Sequence, residues 1–259
     1  MYISCHGNGP RTFLGLHGWS GDHNTFAPFT RDLPPDATFF AVDLPGCGRS
    51  LDPVSWSLEE ISSSVAEAAR NIPSPFTLVG NCSGALLGML VARQLQNRIE
   101  RMLLIDVLAE FPWYFKIFLA PALGPVAYYS TFANPLGRWL TNLSLAERRS
   151  SQTTLTGGFA QTRHSSTYRY LRLFENYPAP EMFRDLRMPI DLIYGEKTFA
   201  AVADSIPRWQ KVWPQARAWK IEGAGHLPIL EATAHLRQIL FQEGSISAEC
   251  LIPSSTIAR

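Results

Sequence analysis

Short apolar runs alternate with helical patterns along most of the chain. Residues 12–16, 38–42, 76–79, 101–105 and 190–194 are each four or five long, mostly apolar, with Gly, Pro or Asp close by. Residues 217–221 form a weaker sixth run. Runs this short and this apolar predict strands covered on both faces. Between them lie helical stretches, clearest after Ser57, where Ser57 and Glu60 make a capping box ahead of Ile61, Val65 and Ala68. Residues 83–95, 205–212 (with Asp204 as N-cap) and 228–242 are further helix candidates. The alternation predicts an α/β domain with a parallel sheet and crossover helices.

The rhythm stops between Leu108 and Asp185. These 78 residues offer no strand candidate, yet hold 15 of the 30 aromatic residues. Such a surplus predicts a folded insertion with an apolar face, not a loose linker. A second capping box, Ser144 to Glu147, points to helices within it. The organisation expected is therefore a core of residues 1–107 and 186–243, a helical cap at 108–185, and a C-terminal tail at 244–259 with no clear period.

Composition narrows the class. With 259 residues, 46% apolar and 17% charged, the chain reads as an ordinary soluble globular protein. A net charge of +1 leaves no basic stripe for nucleic acid. Four cysteines, Cys5, Cys47, Cys82 and Cys250, are too few for a disulfide scaffold, which points to a reduced, cytoplasmic setting. The polar stretch 1–11 lacks the apolar core of a signal peptide. The greasiest segment, 113–129, is broken by Lys116, Pro121, Gly124 and Pro125 and falls short of about 20 apolar residues, so no stable membrane insertion is expected. No metal-ligand cluster or dinucleotide fingerprint is present, so no cofactor is implied.

The chemistry concentrates where the run at 76–79 passes straight into a helix through Gly80-Asn81-Cys82-Ser83-Gly84. A sharp strand-to-helix turn puts its apex residue in a strained conformation and brings strand and helix nearly into contact. The positions two before and two after the apex must then be small. Gly80 and Gly84 meet that need around Cys82, whereas Ser83 would be flanked by Asn81 and Ala85. A thiol there sits at the positive end of a helix dipole, which favours the thiolate, and the Ser83 N–H would face a developing oxyanion. The plainer alternative is a small buried hydrophobe, the usual fate of a free cysteine.

Three further motifs accompany the elbow. Leu14-Gly15-Leu16-His17-Gly18-Trp19 closes a strand, Asp43-Leu44-Pro45-Gly46-Cys47-Gly48-Arg49-Ser50 follows the next, and Gly223-Ala224-Gly225-His226-Leu227-Pro228 puts a histidine in a tight loop before a helix. Together they resemble the α/β-hydrolase superfamily over roughly residues 12–242. The resemblance implies an α/β-hydrolase fold with a mostly parallel eight-stranded sheet, flanking helices and an inserted helical cap. It implies Cys82 as nucleophile, His226 as general base, and the backbone N–H groups of Trp19 and Ser83 as oxyanion donors. His17 would shape the oxyanion loop. His6, His23, His164 and His235 carry no motif, and Cys5, Cys47 and Cys250 are expected to be inert. One departure stands out: the family's usual acid position after the seventh strand is Thr198. Asp106, at the end of the run 101–105, is the leading substitute, Glu196 the alternative, and an enzyme without the acid the third option.

These features point to a thioesterase or esterase-like hydrolase that forms an acyl-Cys82 intermediate on a hydrophobic acyl or aryl ester or thioester, free or carried on CoA or a carrier protein. An acyltransferase or C–C bond enzyme using the same cysteine, and a non-catalytic binding protein on this fold, are the alternatives. Trp113, Tyr114 and Phe115 are the candidate pocket walls.

Overall fold

The computed structural model describes residues 1–241; the expected tail at 244–259 lies outside the described residues. Seven strands form one sheet: β1 (Tyr2–Gly7), β2 (Arg11–Leu16), β3 (Ala37–Asp43), β4 (Phe76–Asn81), β5 (Ile99–Ile105), β6 (Ile190–Gly195) and β7 (Arg217–Ile221). Their order is β1-β3-β2-β4-β5-β6-β7; β1 runs antiparallel to β3 and all other pairs are parallel. The sheet therefore has seven strands among the described residues, not the eight expected. β1 forms one edge of the sheet, paired with β3. That edge strand escaped the sequence reading because it is short, polar and only half buried.

The central strands read as continuous apolar runs because helices cover both faces. Leu14, Leu16, Leu78, Leu104 and Leu192 face a core shared with the helices Leu58–Ala69, Ser83–Leu95 and Ser205–Val212. The alternate positions Phe13, Phe39, Val79, Leu103 and Ile193 face a second core closed by the helix Thr233–Phe241. At the far end of the sheet the buried Asp191 carboxylate is fully used. Arg101 Nε and Arg217 Nε each donate to it at 2.7 Å, and Trp219 Nε1 donates at 2.8 Å.

Ser57 caps its helix as expected, its Oγ accepting from the Glu60 N–H at 3.0 Å. Asp204 stands at the start of Ser205–Val212, but its side chain makes no capping bond because the turn Ala200–Ala203 runs directly into that helix. The predicted helix at 228–242 is broken at Ala232 into Pro228–Glu231 and Thr233–Phe241. Ser144 does not start a helix; it ends Pro135–Ser144, where its Oγ donates to the Thr141 carbonyl at 3.0 Å. The true start is Asn134-Pro135: Asn134 Oδ1 accepts from the Leu136 N–H at 2.8 Å and proline takes the first helical position.

Between β5 and β6 the chain is helical, including Trp113–Leu119, Leu123–Tyr128, Pro135–Ser144 and His164–Phe174. These helices stand over the carboxyl ends of the strands, held there by the Trp19 indole. Its ring lies 4.8 Å from Phe159, 5.2 Å from Phe132 and 5.5 Å from Phe115, and its Nε1 donates to the Thr167 carbonyl at 2.8 Å.

Candidate active site

Cys82 joins β4 to the helix Ser83–Leu95 with φ 51° and ψ −118°. The left-handed φ is strained for a residue with a Cβ, and it persists because the surroundings fix it. The Cys82 N–H donates to the Ile105 carbonyl at 2.7 Å. A Cβ on Gly80 would meet the Ala85 Cα at 2.5 Å, and one on Gly84 would meet the Leu16 and His17 carbonyl oxygens at 2.3 Å. The glycine spacing is therefore a packing requirement of the crossing.

Parallel pairing of β5 with β6 sets the carboxylate. Asp106 follows β5 directly, with φ 50° and no exposed surface. Its N–H donates to the Ile193 carbonyl at 2.7 Å. Its Oδ1 accepts from the Gly195 N–H at 3.2 Å, and its Oδ2 accepts from Thr198 Oγ1 at 2.7 Å and lies 2.7 Å from His226 Nδ1. Thr198 Oγ1 is itself 3.2 Å from His226 Nδ1. The ends of β5 and β6 are neighbours, so a carboxylate on either can reach the same imidazole. Here Asp106 supplies it, and Thr198 fills the other position with a hydroxyl that supports it.

His226, 18% exposed at its side chain, faces Asp106 through Nδ1, and Cys82 acts on the same ring. Burial works against the charged ring, but Asp106 first and Cys82 after it outweigh burial and raise His226 to about 10. Glu196 takes no part. It is exposed, accepts from the Gly223 N–H at 3.0 Å and lies 3.8 Å from Lys220 Nζ.

Trp19 and Ser83 line one cavity with Gly18, Cys47 and Tyr170, and it measures only about 10 Å³, space for about one water. Neither backbone N–H has a protein acceptor among the described residues. His17 is fully buried, with Nδ1 2.9 Å from the Gly18 carbonyl and Nε2 accepting from the Leu44 N–H at 3.1 Å. Both ring nitrogens are thus used to hold the Gly18-Trp19 loop, and burial lowers its pKa. Cys47 is buried, which pushes its thiol up to about 12.

Of the three aromatic wall candidates, Phe115 packs on Trp19, Tyr114 is raised by burial and then by Cys82, and Trp113 is 79% exposed. The 3-10 turn that carries all three cannot turn three consecutive side chains to one side. A wider depression of about 610 Å³ beside Leu58–Ala69 is lined by none of these residues.

Three contributors escaped the sequence reading. Tyr177, raised by burial and by Cys82, donates to the Leu108 carbonyl at 2.6 Å. The Arg148 carbonyl accepts from the His226 N–H at 2.9 Å. Glu231 accepts from the Gly225 N–H through Oε2 and, through Oε1, from the Ser150 N–H at 2.9 Å and Thr153 Oγ1 at 2.5 Å. No local pattern announces such contacts, since all but the Gly225–Glu231 bond join segments some 70 to 80 residues apart.

This fold belongs to one class. Residues 13–236 match the Alpha/beta hydrolase family, and the chain belongs to it. It is 28% identical over 246 residues to a pimeloyl-[acyl-carrier protein] methyl ester esterase of Xylella fastidiosa, covering 89% of this chain and 93% of that one. A protein of the same name from Salmonella newport is 22% identical over 261 residues, covering 93% and 96%. Among solved structures, a thermophilic esterase from Thermogutta terrifontis superposes with a TM-score of 0.74 at 17% identity, covering 92% of this chain and 90% of that one. The enol-lactonase of Burkholderia xenovorans gives 0.74 at 16%, covering 92% and 94%. These two likenesses establish the fold.

Proposed function

We propose that this protein hydrolyses a carboxylic ester or thioester through an acyl-Cys82 intermediate. The observation that carries this reading is the 2.7 Å contact between the buried Asp106 and His226, with Cys82, at the elbow apex, among the groups that raise the same imidazole. Asp106 orients the ring and favours its charged form, so His226 takes the thiol proton and holds it as imidazolium. The sulfur adds to the ester carbonyl, and the N–H groups of Trp19 and Ser83 receive the oxyanion. Collapse expels the alcohol or thiol, to which His226 returns the proton. Water, activated by the same imidazole, then releases the acid from the thioester.

Residues 108–185 act as a cap in this reading. The inserted Phe115 and Phe159 pack on Trp19 beside the elbow, so the cap bounds the approach to Cys82. The relatives named for a carrier-protein-bound methyl ester support an acyl ester as the substrate class, carried or free. The missing carboxylate at Thr198 no longer favours a mere binding protein, because Asp106 supplies the charge.

A panel of aryl esters, acyl methyl esters and acyl-CoA thioesters tests the reading, with Cys82→Ser and Cys82→Ala alongside. Turnover that Cys82→Ala abolishes supports it; full turnover in that variant refutes the nucleophile. Product analysis with and without a nucleophilic acceptor then separates hydrolysis from transfer.

A further inference from the structure

The loop that carries His226 is held from two sides. On one side is the end of β6: a Cβ on Gly195 would sit 2.0 Å from the Gly225 carbonyl oxygen, and the Lys197 N–H donates to the Ala224 carbonyl at 2.8 Å. On the other side lies the inserted chain. A Cβ on Gly225 would meet the Arg148 carbonyl oxygen at 2.1 Å and the Arg149 Cα at 2.7 Å. The His226 N–H donates to that same Arg148 carbonyl at 2.9 Å. Arg148 Nη1 donates to the carbonyl of Thr198, whose hydroxyl supports Asp106, at 3.1 Å. One inserted residue therefore bonds both the imidazole's own backbone and the partner of its acid.

Glu231 ties these two segments together. Its Oε2 accepts from the Gly225 N–H, beside the histidine, while its Oε1 accepts from the Ser150 N–H at 2.9 Å and Thr153 Oγ1 at 2.5 Å. The turn it grips is also closed on itself, because Arg149 Nη1 donates to the Ser150 and Thr153 carbonyls at 2.9 and 2.5 Å. A carboxylate suits this place because it accepts on both oxygens. A glutamine amide accepts on one and presents N–H on the other, which cannot take a second N–H donor. The two segments are thus bonded where a shift of about 1 Å is felt in rate before it is felt in stability.

We propose that Glu231 is a positioning residue for the His226 imidazole: by holding the Gly225 N–H and the inserted residues 150 and 153 on its two oxygens, it keeps the Arg148 carbonyl on the His226 N–H and the ring against Asp106. This role rests on the reading of His226 as the base for Cys82. It makes residues 148–153 of the insertion part of the base's support as well as part of the cap. Phe199, with its ring centroid 4.8 Å from that of the imidazole, packs on the ring, and Asp106 and Cys82 are the titratable groups that act on it.

Glu231→Gln, which leaves one acceptor for two segments, and Thr153→Val, which removes a single hydroxyl and so keeps the test open should the first variant not fold, are compared in the full chain. In NMR with labelled histidine, the His226 ring (assigned by its loss in His226→Gln) is expected to titrate at lower pH in both variants, by at least about one unit in Glu231→Gln. On an ester that the protein turns over, kcat is expected to fall at least about tenfold in Glu231→Gln and about threefold in Thr153→Val, with KM within about twofold. A clamp serving stability alone would lower the melting temperature and leave the ring's titration where it was. An unchanged titration in the folded variants, or a rise in KM with kcat unchanged, would overturn the proposal. The titration needs no turnover, so it decides the positioning role even where Cys82→Ala shows that the thiol is not the nucleophile.

Discussion

The imidazole of His226 is pulled two ways. Burial favours its neutral form, while Asp106 and Cys82 favour the charged one and prevail, with a value of about 10 against an ordinary 6.5. A folded-state value above the unfolded one stabilises the protein fully below about 6.5, and that stabilisation is lost as pH rises through about 10. Melting temperature from pH 6 to 11 should therefore fall over the alkaline range, and the fall should be smaller in His226→Gln. Asp106→Asn removes the leading support, so the alkaline limb of kcat/KM should move to lower pH, with a rate loss of about 10²-fold. Glu196→Gln, at an exposed side chain remote from the ring, should stay within about twofold. Equal losses in both variants would contradict the assignment of the acid. Thr198→Val should weaken kcat but leave KM unchanged, since its hydroxyl supports the carboxylate and not the substrate. Cys82 and His226 were legible as residues because glycines mark the turns that carry them. Asp106 was legible only as one of several candidates, since nothing local says which strand end reaches the imidazole.

At the level of elements, two close approaches hold the site together. The helix Ser83–Leu95 crosses the β2 end at Gly84 with no room for a methyl group. Gly84→Ala should cost at least about 2 kcal/mol in chemical denaturation and lower activity more steeply, because the same contact sets the Cys82 apex. The second approach is the clamp at Glu231, which ties the Gly225 loop to the inserted residues 150 and 153. Glu231→Gln should loosen that loop, seen as faster amide exchange at 224–227. The five interior strands were readable from apolar runs, since burial on both faces leaves an unbroken signal, and the edge strand β7 gave a weaker one. The half-buried β1 gave none, and the inserted helices were readable only as an aromatic surplus. Their ends were misread at Ser144 because a capping box is a spacing rule, while Asn134-Pro135 fitted the local backbone better.

Across the whole molecule, the parallel sheet delivers chemistry to one edge. The ends of β2, β4, β5 and β6, and the loop after β7, bring Trp19, Cys82, Asp106, Thr198 and His226 to the same side. Each arrives from a different stretch of chain, so the sheet's register decides whether they meet. The most direct test is mass spectrometry of the protein quenched during turnover of an activated aryl ester. An acyl mass is expected on the peptide bearing Cys82, absent in Cys82→Ala and persistent in His226→Gln when deacylation slows. An adduct on Ser83, or steady turnover with every cysteine unmodified, would contradict it.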